Sequence, residues 1–135
     1  MSARSRPVVS YYYDPEVGNY HYATQHPMKP HRIRMTHALV QSYELYKHMH
    51  VARPKPATKT DMTRFHSDEY IDFLYRVTPD NLDLYAKQRQ KFNIGDDCPI
   101  FDGIFDYSSI STGGSLGMSI SALLHGAVGS KHQQQ

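Results

Sequence analysis

The feature that most restricts the fold of this chain is a single strand-like segment close to its N-terminus. Residues 8–13 read Val-Val-Ser-Tyr-Tyr-Tyr, and β-branched and aromatic residues of this kind favour a strand. Because the run is almost continuously apolar, we expect both of its faces to be covered, as they are in a parallel sheet. A lone strand is not stable, yet no second segment predicts one. Either the strand assignment is wrong or the chain is a piece of something larger.

The rest of the sequence predicts helices separated by turns and loops. They are a helix from about residue 30 to residues 47–50, a second helical region over about 61–77, a short helix over 78–85 and a helix over about 101–116. Met35, Leu39, Tyr43 and Tyr46 recur at helical spacing and form an apolar stripe on the first helix. Ser67 is predicted to cap the second region, because its hydroxyl can accept a bond from a free backbone N–H. Residues 93–99 predict a loop.

Size and composition exclude several classes of protein. The 135 residues suffice for one domain, and 15 basic against 13 acidic residues argue against a general binder of polyanions. The single cysteine excludes a disulfide framework and a cysteine-based zinc cluster. The nine histidines do not follow a known spacing of metal ligands, so a metal site built by this chain alone is not expected. No run approaches the roughly 20 apolar residues of a membrane span.

A basic segment, residues 26–34, surrounds the predicted start of the first helix. It reads His-Pro-Met-Lys-Pro-His-Arg-Ile-Arg and therefore places several cations where free backbone N–H groups are also available. This combination is typical of an anion site. The alternative is that these side chains extend into solvent, or that one arginine is held by a buried acid.

The predicted loop at 93–99 carries two adjacent acids, Asp96 and Asp97. Acids are common in ordinary turns, where they bond to their own backbone. The functional alternative is a carboxylate that accepts N–H bonds from a bound peptide, and two acids alone do not decide between these readings. Cys98 lies beside a proline with no base next to it in sequence, so packing is expected rather than nucleophilic chemistry.

Five segments together resemble the opening of a class I histone deacetylase. They are Tyr-Tyr-Tyr-Asp-Pro-Glu-Val-Gly-Asn-Tyr-His-Tyr at 11–22, the basic segment at 26–34, Arg-Phe-His-Ser-Asp-Glu-Tyr-Ile-Asp-Phe-Leu at 64–74, Phe-Asn-Ile-Gly-Asp-Asp-Cys-Pro-Ile-Phe-Asp-Gly at 92–103 and Ser-Thr-Gly-Gly-Ser at 111–115. The resemblance implies the N-terminal piece of an arginase-like α/β fold, which has three layers and a parallel sheet, here with one strand plus several helices. It also implies zinc-dependent hydrolysis of acetyl-lysine in histone tails.

The resemblance assigns roles to five matching positions. Asp97 corresponds to an acid at the rim of the active site that holds the backbone of the substrate peptide. Met28 and Arg32 correspond to residues that line an internal cavity beneath the active site. His21 and Lys29 resemble positions that contact an inositol phosphate bound between the enzyme and a corepressor.

The sequence also departs from the family pattern. The sequence has no counterpart of the family's paired catalytic histidines, its zinc ligands or its catalytic tyrosine. No catalytic or metal-binding residue is therefore assigned. The chain alone is expected to bind no zinc and to be inactive. Gln25 stands where the family usually has glycine. We therefore expect a mobile N-terminus at 1–7, the N-terminal part of a deacetylase domain at 8–116 that stops before the catalytic residues, and a divergent tail at 117–135.

The expected partners follow from the same resemblance. They are acetylated histone tails, corepressor subunits and inositol phosphate, in transcriptional repression in the nucleus, with the cytoplasm as a second location. Neither sequence-specific nucleic-acid binding nor membrane attachment is expected. The alternative function is that of a non-catalytic fragment that binds a corepressor or inositol phosphate.

Overall fold

The computed structural model describes the backbone of residues 9–130 and the side chains of residues 9–123. The predicted mobile segment at 1–7 and the last five residues lie outside this range. In chain order the elements are strand β1 (Val9–Tyr12), a 3-10 helix (Pro15–Asn19), α1 (His31–Ser42), a 3-10 helix (Leu45–His48), strand β2 (Met49–Ala52), α2 (Lys59–Met62), α3 (Asp68–Arg76), a 3-10 helix (Pro79–Tyr85), α4 (Ala86–Lys91) and α5 (Ile104–Ser130). No helix among these residues is long and apolar enough to cross a membrane.

Strand β1 has a partner strand in the same chain. It pairs in parallel with β2, in a register that places Val9 opposite Met49 and Tyr12 opposite Ala52. The predicted strand at 8–13 is therefore confirmed over Val9–Tyr12, with Val8 outside the described residues, whereas the prediction of one strand alone was wrong. The first helix ends at Ser42, and Glu44 then adopts a left-handed φ of 55°, which breaks the helical path. Residues 49–52 are consequently free to extend and pair.

Helices cover both faces of the two-stranded sheet. On one face Tyr13 stacks on His37 of α1, with ring centroids 3.5 Å apart, and Tyr11 Oη lies 3.0 Å from His37 Nδ1. On the other face Tyr12 Oη donates to the backbone oxygen of Gly117 in α5 at 3.0 Å. Side chains alternate along a strand, so neighbouring tyrosines reach opposite layers. This three-layer arrangement agrees with the expected α/β class.

The main core lies between α3, α5 and the loops that flank them. One cluster contains Phe73, Leu74, Val77 and Ile100, and a second contains Ala57, Met62 and Ile71. The predicted cap on α3 is confirmed, because Ser67 Oγ accepts from the backbone N–H of Tyr70 at 3.3 Å. Helix α5 continues to Ser130, beyond the predicted end at residue 116. Gly113 permits its close packing, since an added Cβ would lie 2.0 Å from the backbone oxygen of Lys55.

The apolar stripe predicted on the first helix is not part of this core. Met35 and Leu39 are each 57% exposed, Tyr43 is 74% exposed, and α1 contains no buried residue. The helix contacts the sheet through His37, which lies on a different side. The stripe is therefore an apolar surface that no described residue covers.

An ion pair joins the two strands at their carboxyl ends. The side chain of Asp14 is only 4% exposed and accepts from Arg53 Nε at 2.7 Å and from the backbone N–H of Glu16 at 2.9 Å. The bond from Arg53 is the main cause that lowers the pKa of Asp14 below its usual value, although burial opposes it. The adjacent backbone bond, from Tyr13 N to Ala52 O, is 3.1 Å long.

Replacement of Asp14 should therefore loosen the end of the sheet. Because the folded-state pKa is depressed, the pair stabilises the fold above the unfolded-state pKa, near 3.8, and this contribution is lost as pH falls through the lower folded value. At neutral pH we expect Asp14→Asn to reduce the free energy of local opening at Tyr13 by about 1–3 kcal/mol, the range for a buried charged hydrogen bond. Amide hydrogen exchange, corrected for intrinsic rates, measures this. Exposed Asp80→Asn is the control, and equal protection in both variants would contradict the prediction.

Candidate functional site

Two loops that are distant in sequence meet through one histidine. His26 Nε2 donates to the backbone oxygen of Asp97 at 3.1 Å, and His26 Nδ1 accepts from the backbone N–H of Met28 at 3.0 Å. A carbonyl oxygen only accepts, so these partners require a neutral ring with its proton on Nε2. His26 thereby joins the basic segment at 26–34 to the acidic loop at 93–99, which we call the rim loop.

The rim loop is held by backbone bonds at its base. Ile94 N donates to Arg89 O at 2.9 Å, and Gly95 N donates to Cys98 O at 3.3 Å. Asp96 and Asp97 therefore lie at the tip of the loop, and both are exposed. Cys98, which we expected to be packed, is also exposed. The prediction of a loop at 93–99 is confirmed.

Asp97 lies at the edge of a small cavity with an aromatic wall. The cavity has a volume of about 160 Å³, and Tyr22, Phe101 and Tyr107 line it together with Asp97. Tyr22 stacks on Phe101 at 4.6 Å between ring centroids and meets Tyr107 edge to face at 5.9 Å. Burial, with a smaller contribution from Tyr107, raises the pKa of Tyr22 to about 12, so its hydroxyl stays protonated at neutral pH.

The aromatic wall is a part of the site that the sequence alone did not reveal. The available signal was the abundance of tyrosine before residue 23, but nothing in the local sequence shows that Tyr22 meets Tyr107. Gly103 allows the ring of Tyr20 to approach closely, because it has a φ of +74° and an added Cβ would lie 2.7 Å from that ring.

The cations of the basic segment bond mainly to nearby backbone oxygens. Lys29 Nζ donates to Thr24 O at 3.0 Å and, over a longer distance of 3.4 Å, to Ala23 O. Arg32 is exposed; its Nε donates to Lys29 O at 3.3 Å and its terminal nitrogen lies 2.9 Å from Met28 Sδ.

The structure thus brings together four of the five assigned residues. Met28, Lys29 and Arg32 form one group, and Asp97 is connected to it through His26. His21 is exposed and makes no hydrogen bond or ion pair with any other residue that the structure describes. The buried acid that holds an arginine is Asp14, and its partner is Arg53 rather than an arginine of the basic segment.

The described side chains do not form a zinc site. Among residues 9–123 the structure contains no group of three or more histidine, cysteine, aspartate or glutamate residues that could hold a metal ion. The groups in this region that can contact a ligand are instead the carboxylate of Asp97, the aromatic cavity and the cations of the basic segment. These groups can hold and orient a ligand.

Comparison with known proteins identifies the family. The model of the histone deacetylase domain matches residues 26–133, which is most of the chain. The chain is 62% identical over 108 residues to histone deacetylase RPD3 of Saccharomyces cerevisiae and 60% identical over 109 residues to histone deacetylase clr6 of Schizosaccharomyces pombe. It is 53% identical over 116 residues to human histone deacetylase 1.

The chain therefore belongs to the histone deacetylase family. The matches cover 80%, 81% and 86% of this chain but only 25%, 27% and 24% of the three relatives. The chain thus spans about a quarter of the length of the relatives it matches. The range matched by the family model also runs beyond residue 116, into the segment expected to diverge.

His26 should control the order of the rim loop. His26→Phe keeps a ring but removes both hydrogen bonds, each of which contributes about 1 kcal/mol. We expect faster amide exchange at Met28 and broadened or shifted backbone NMR signals at residues 95–98. Exposed His48→Phe is the matched control. Unchanged signals in the rim loop of the His26 variant would contradict this role.

Proposed function

We propose that this chain forms the N-terminal, ligand-holding part of a zinc-dependent protein-lysine deacetylase that acts on histone tails in transcriptional repression in the nucleus. The observation that carries the proposal is the match to the histone deacetylase domain over residues 26–133, in which the rim loop and the basic segment both lie. The hydrogen bonds of His26 support it, because they hold these two parts side by side.

In this proposal each part of the site has its own role. Asp97 accepts N–H bonds from the backbone of the acetyl-lysine peptide, and its exposed position beside the aromatic cavity suits that role. Met28 and Arg32 line the internal cavity, and the contact between them supports a shared location. His21 and Lys29 contact an inositol phosphate that is shared with a corepressor. The side chains of residues 9–123 do not support a zinc site, so zinc chemistry is assigned to none of them.

The alternative proposal is a non-catalytic fragment that binds a corepressor or inositol phosphate. The exposed apolar stripe on α1 favours it, because this surface is available to another protein segment. The two proposals differ in whether the chain can serve in a catalytic domain.

A chimera tests the first proposal. The matched segment of this chain replaces the corresponding 108 residues of histone deacetylase RPD3, which are 62% identical. We expect the chimera to deacetylate a histone-tail peptide, and Asp97→Asn to lower kcat/KM about tenfold through loss of a charged hydrogen bond to the peptide. Exposed Asp68→Asn should have no effect.

The isolated 135-residue chain is the second control for the chimera. We expect it to hold no stoichiometric zinc and to show no deacetylase activity. Chelator-sensitive activity in the isolated chain would contradict that expectation. An inactive but folded chimera that still binds inositol phosphate would favour the non-catalytic proposal instead.

Lys29 and Arg32 should have separable effects in the same chimera. Lys29→Ala should weaken the binding of inositol hexakisphosphate by about 1–3 kcal/mol, the range for a charged hydrogen bond, whereas Arg32→Ala should lower kcat and leave anion binding unchanged. Isothermal titration calorimetry and steady-state kinetics measure the two effects, with exposed Lys87→Ala as the control. An equal loss of anion affinity in both variants would show that the two cations share one anion-binding surface.

A further inference from the structure

A second, larger cavity lies on the other side of the rim loop. It has a volume of about 590 Å³, opens to solvent, and is lined by residues from 23–27, the rim loop, the 3-10 helix at Pro79–Tyr85 and α4. We call it the side cavity. Asp96 lines the side cavity, whereas Asp97 lines the small aromatic cavity. The two consecutive acids, Asp96 and Asp97, therefore line two different cavities.

The wall of the side cavity is mostly apolar and includes Leu82, Ile94 and Ile100. Three polar groups other than the constrained His26 also line it: the carboxylate of Asp96, the guanidinium of Arg89 and the amide of Gln25. Such a space suits a ligand with an apolar stem and a polar end.

The two charged groups that line the side cavity differ in their partners. The terminal nitrogen of Arg89 lies 3.8 Å from a carboxylate oxygen of Asp83, which is itself fully exposed. Asp96 makes no ion pair or hydrogen bond with any other residue in the part of the chain that the structure describes, and the carboxylate of Asp97 lies next to it in sequence. The carboxylate of Asp96 is therefore available to pair with a cationic ligand group.

We propose that the side cavity is a subsite for a lysine or arginine side chain of the same polypeptide whose backbone Asp97 holds. The aliphatic stem of that side chain packs against Leu82 and Ile94, and its charged end pairs with Asp96. The inference rests on the proposed role of Asp97, because Asp96 is the next residue along the rim loop and lines the side cavity. Asp97 then fixes the backbone, and Asp96 selects for a basic residue that flanks the acetyl-lysine.

Peptide binding to the 135-residue chain tests the subsite. The probes are short acetyl-lysine peptides in which one flanking position, scanned from two residues before to two residues after, is lysine or norleucine. Norleucine keeps the apolar stem and lacks the ammonium group. At low salt we expect the best lysine peptide to bind about fivefold more tightly than its norleucine counterpart, the factor of a partly exposed ion pair.

Two acid variants separate this inference from the proposed function. Asp96→Asn should abolish the preference for lysine and leave binding of the norleucine peptide unchanged, whereas Asp97→Asn should weaken both peptides equally. Asp68→Asn is the control, and near-ultraviolet circular dichroism of the tyrosines checks that each variant folds like the parent. If Asp97→Asn weakens both peptides but Asp96→Asn leaves the ratio unchanged, the subsite is wrong and the proposed function stands.

A cavity-filling variant gives an independent test. Gly95 lines the side cavity, and a Cβ added there would meet no atom within 4 Å. Gly95→Leu should therefore occupy the cavity and remove the preference for lysine, while Gly95→Ala should keep it. Tighter binding of a glutamate peptide, lost in Arg89→Ala, would overturn the proposal in favour of an anion subsite. Failure of the parent chain to bind any of these peptides would contradict both the subsite and the role of Asp97.

Discussion

The parallel pairing of β1 with β2 is the constraint on which the rest of this structure depends. A parallel pair needs a long crossover between its strands, and residues 13–48 supply it. The crossover starts at the carboxyl end of β1, where Asp14 pairs with Arg53 beyond β2, and it contains the basic segment. In open α/β sheets ligands bind outside the carboxyl ends of the strands, so the pairing itself places the basic segment on the side where a site is expected.

The sequence predicted those elements whose structure depends on interactions between nearby residues. The cap at Ser67, the helix start after Pro30 and the loop at 93–99 all depend on residues within a few positions of one another. Strand β2 was missed because α1 already ends at Ser42, and the left-handed Glu44 that breaks the helical path gives no local sign of that conformation. The exposure of the apolar stripe on α1 could not be predicted either, because periodicity identifies an apolar face but not what covers it.

The sequence predicted residues of the site, but not how these residues are arranged in space. Resemblance to known deacetylases named Asp97 and the cations of the basic segment, but the bond that joins these parts runs from His26 to a residue 71 positions away. The same limit applies to Tyr22 and Tyr107, whose contact depends on how α5 packs. Long-range contacts of this kind arise from the tertiary fold, so no local pattern could have predicted the aromatic wall.

The contrast between satisfied cations and unpaired acids suggests how this surface discriminates among ligands. Lys29 already donates to two backbone oxygens, so an anion must replace those bonds before it gains affinity. A single phosphate gains little from such an exchange. Asp96 gives up no such bond when it pairs with a cation. An anion thus competes with bonds that the fold already makes to Lys29, whereas a cation meets no such competition at Asp96.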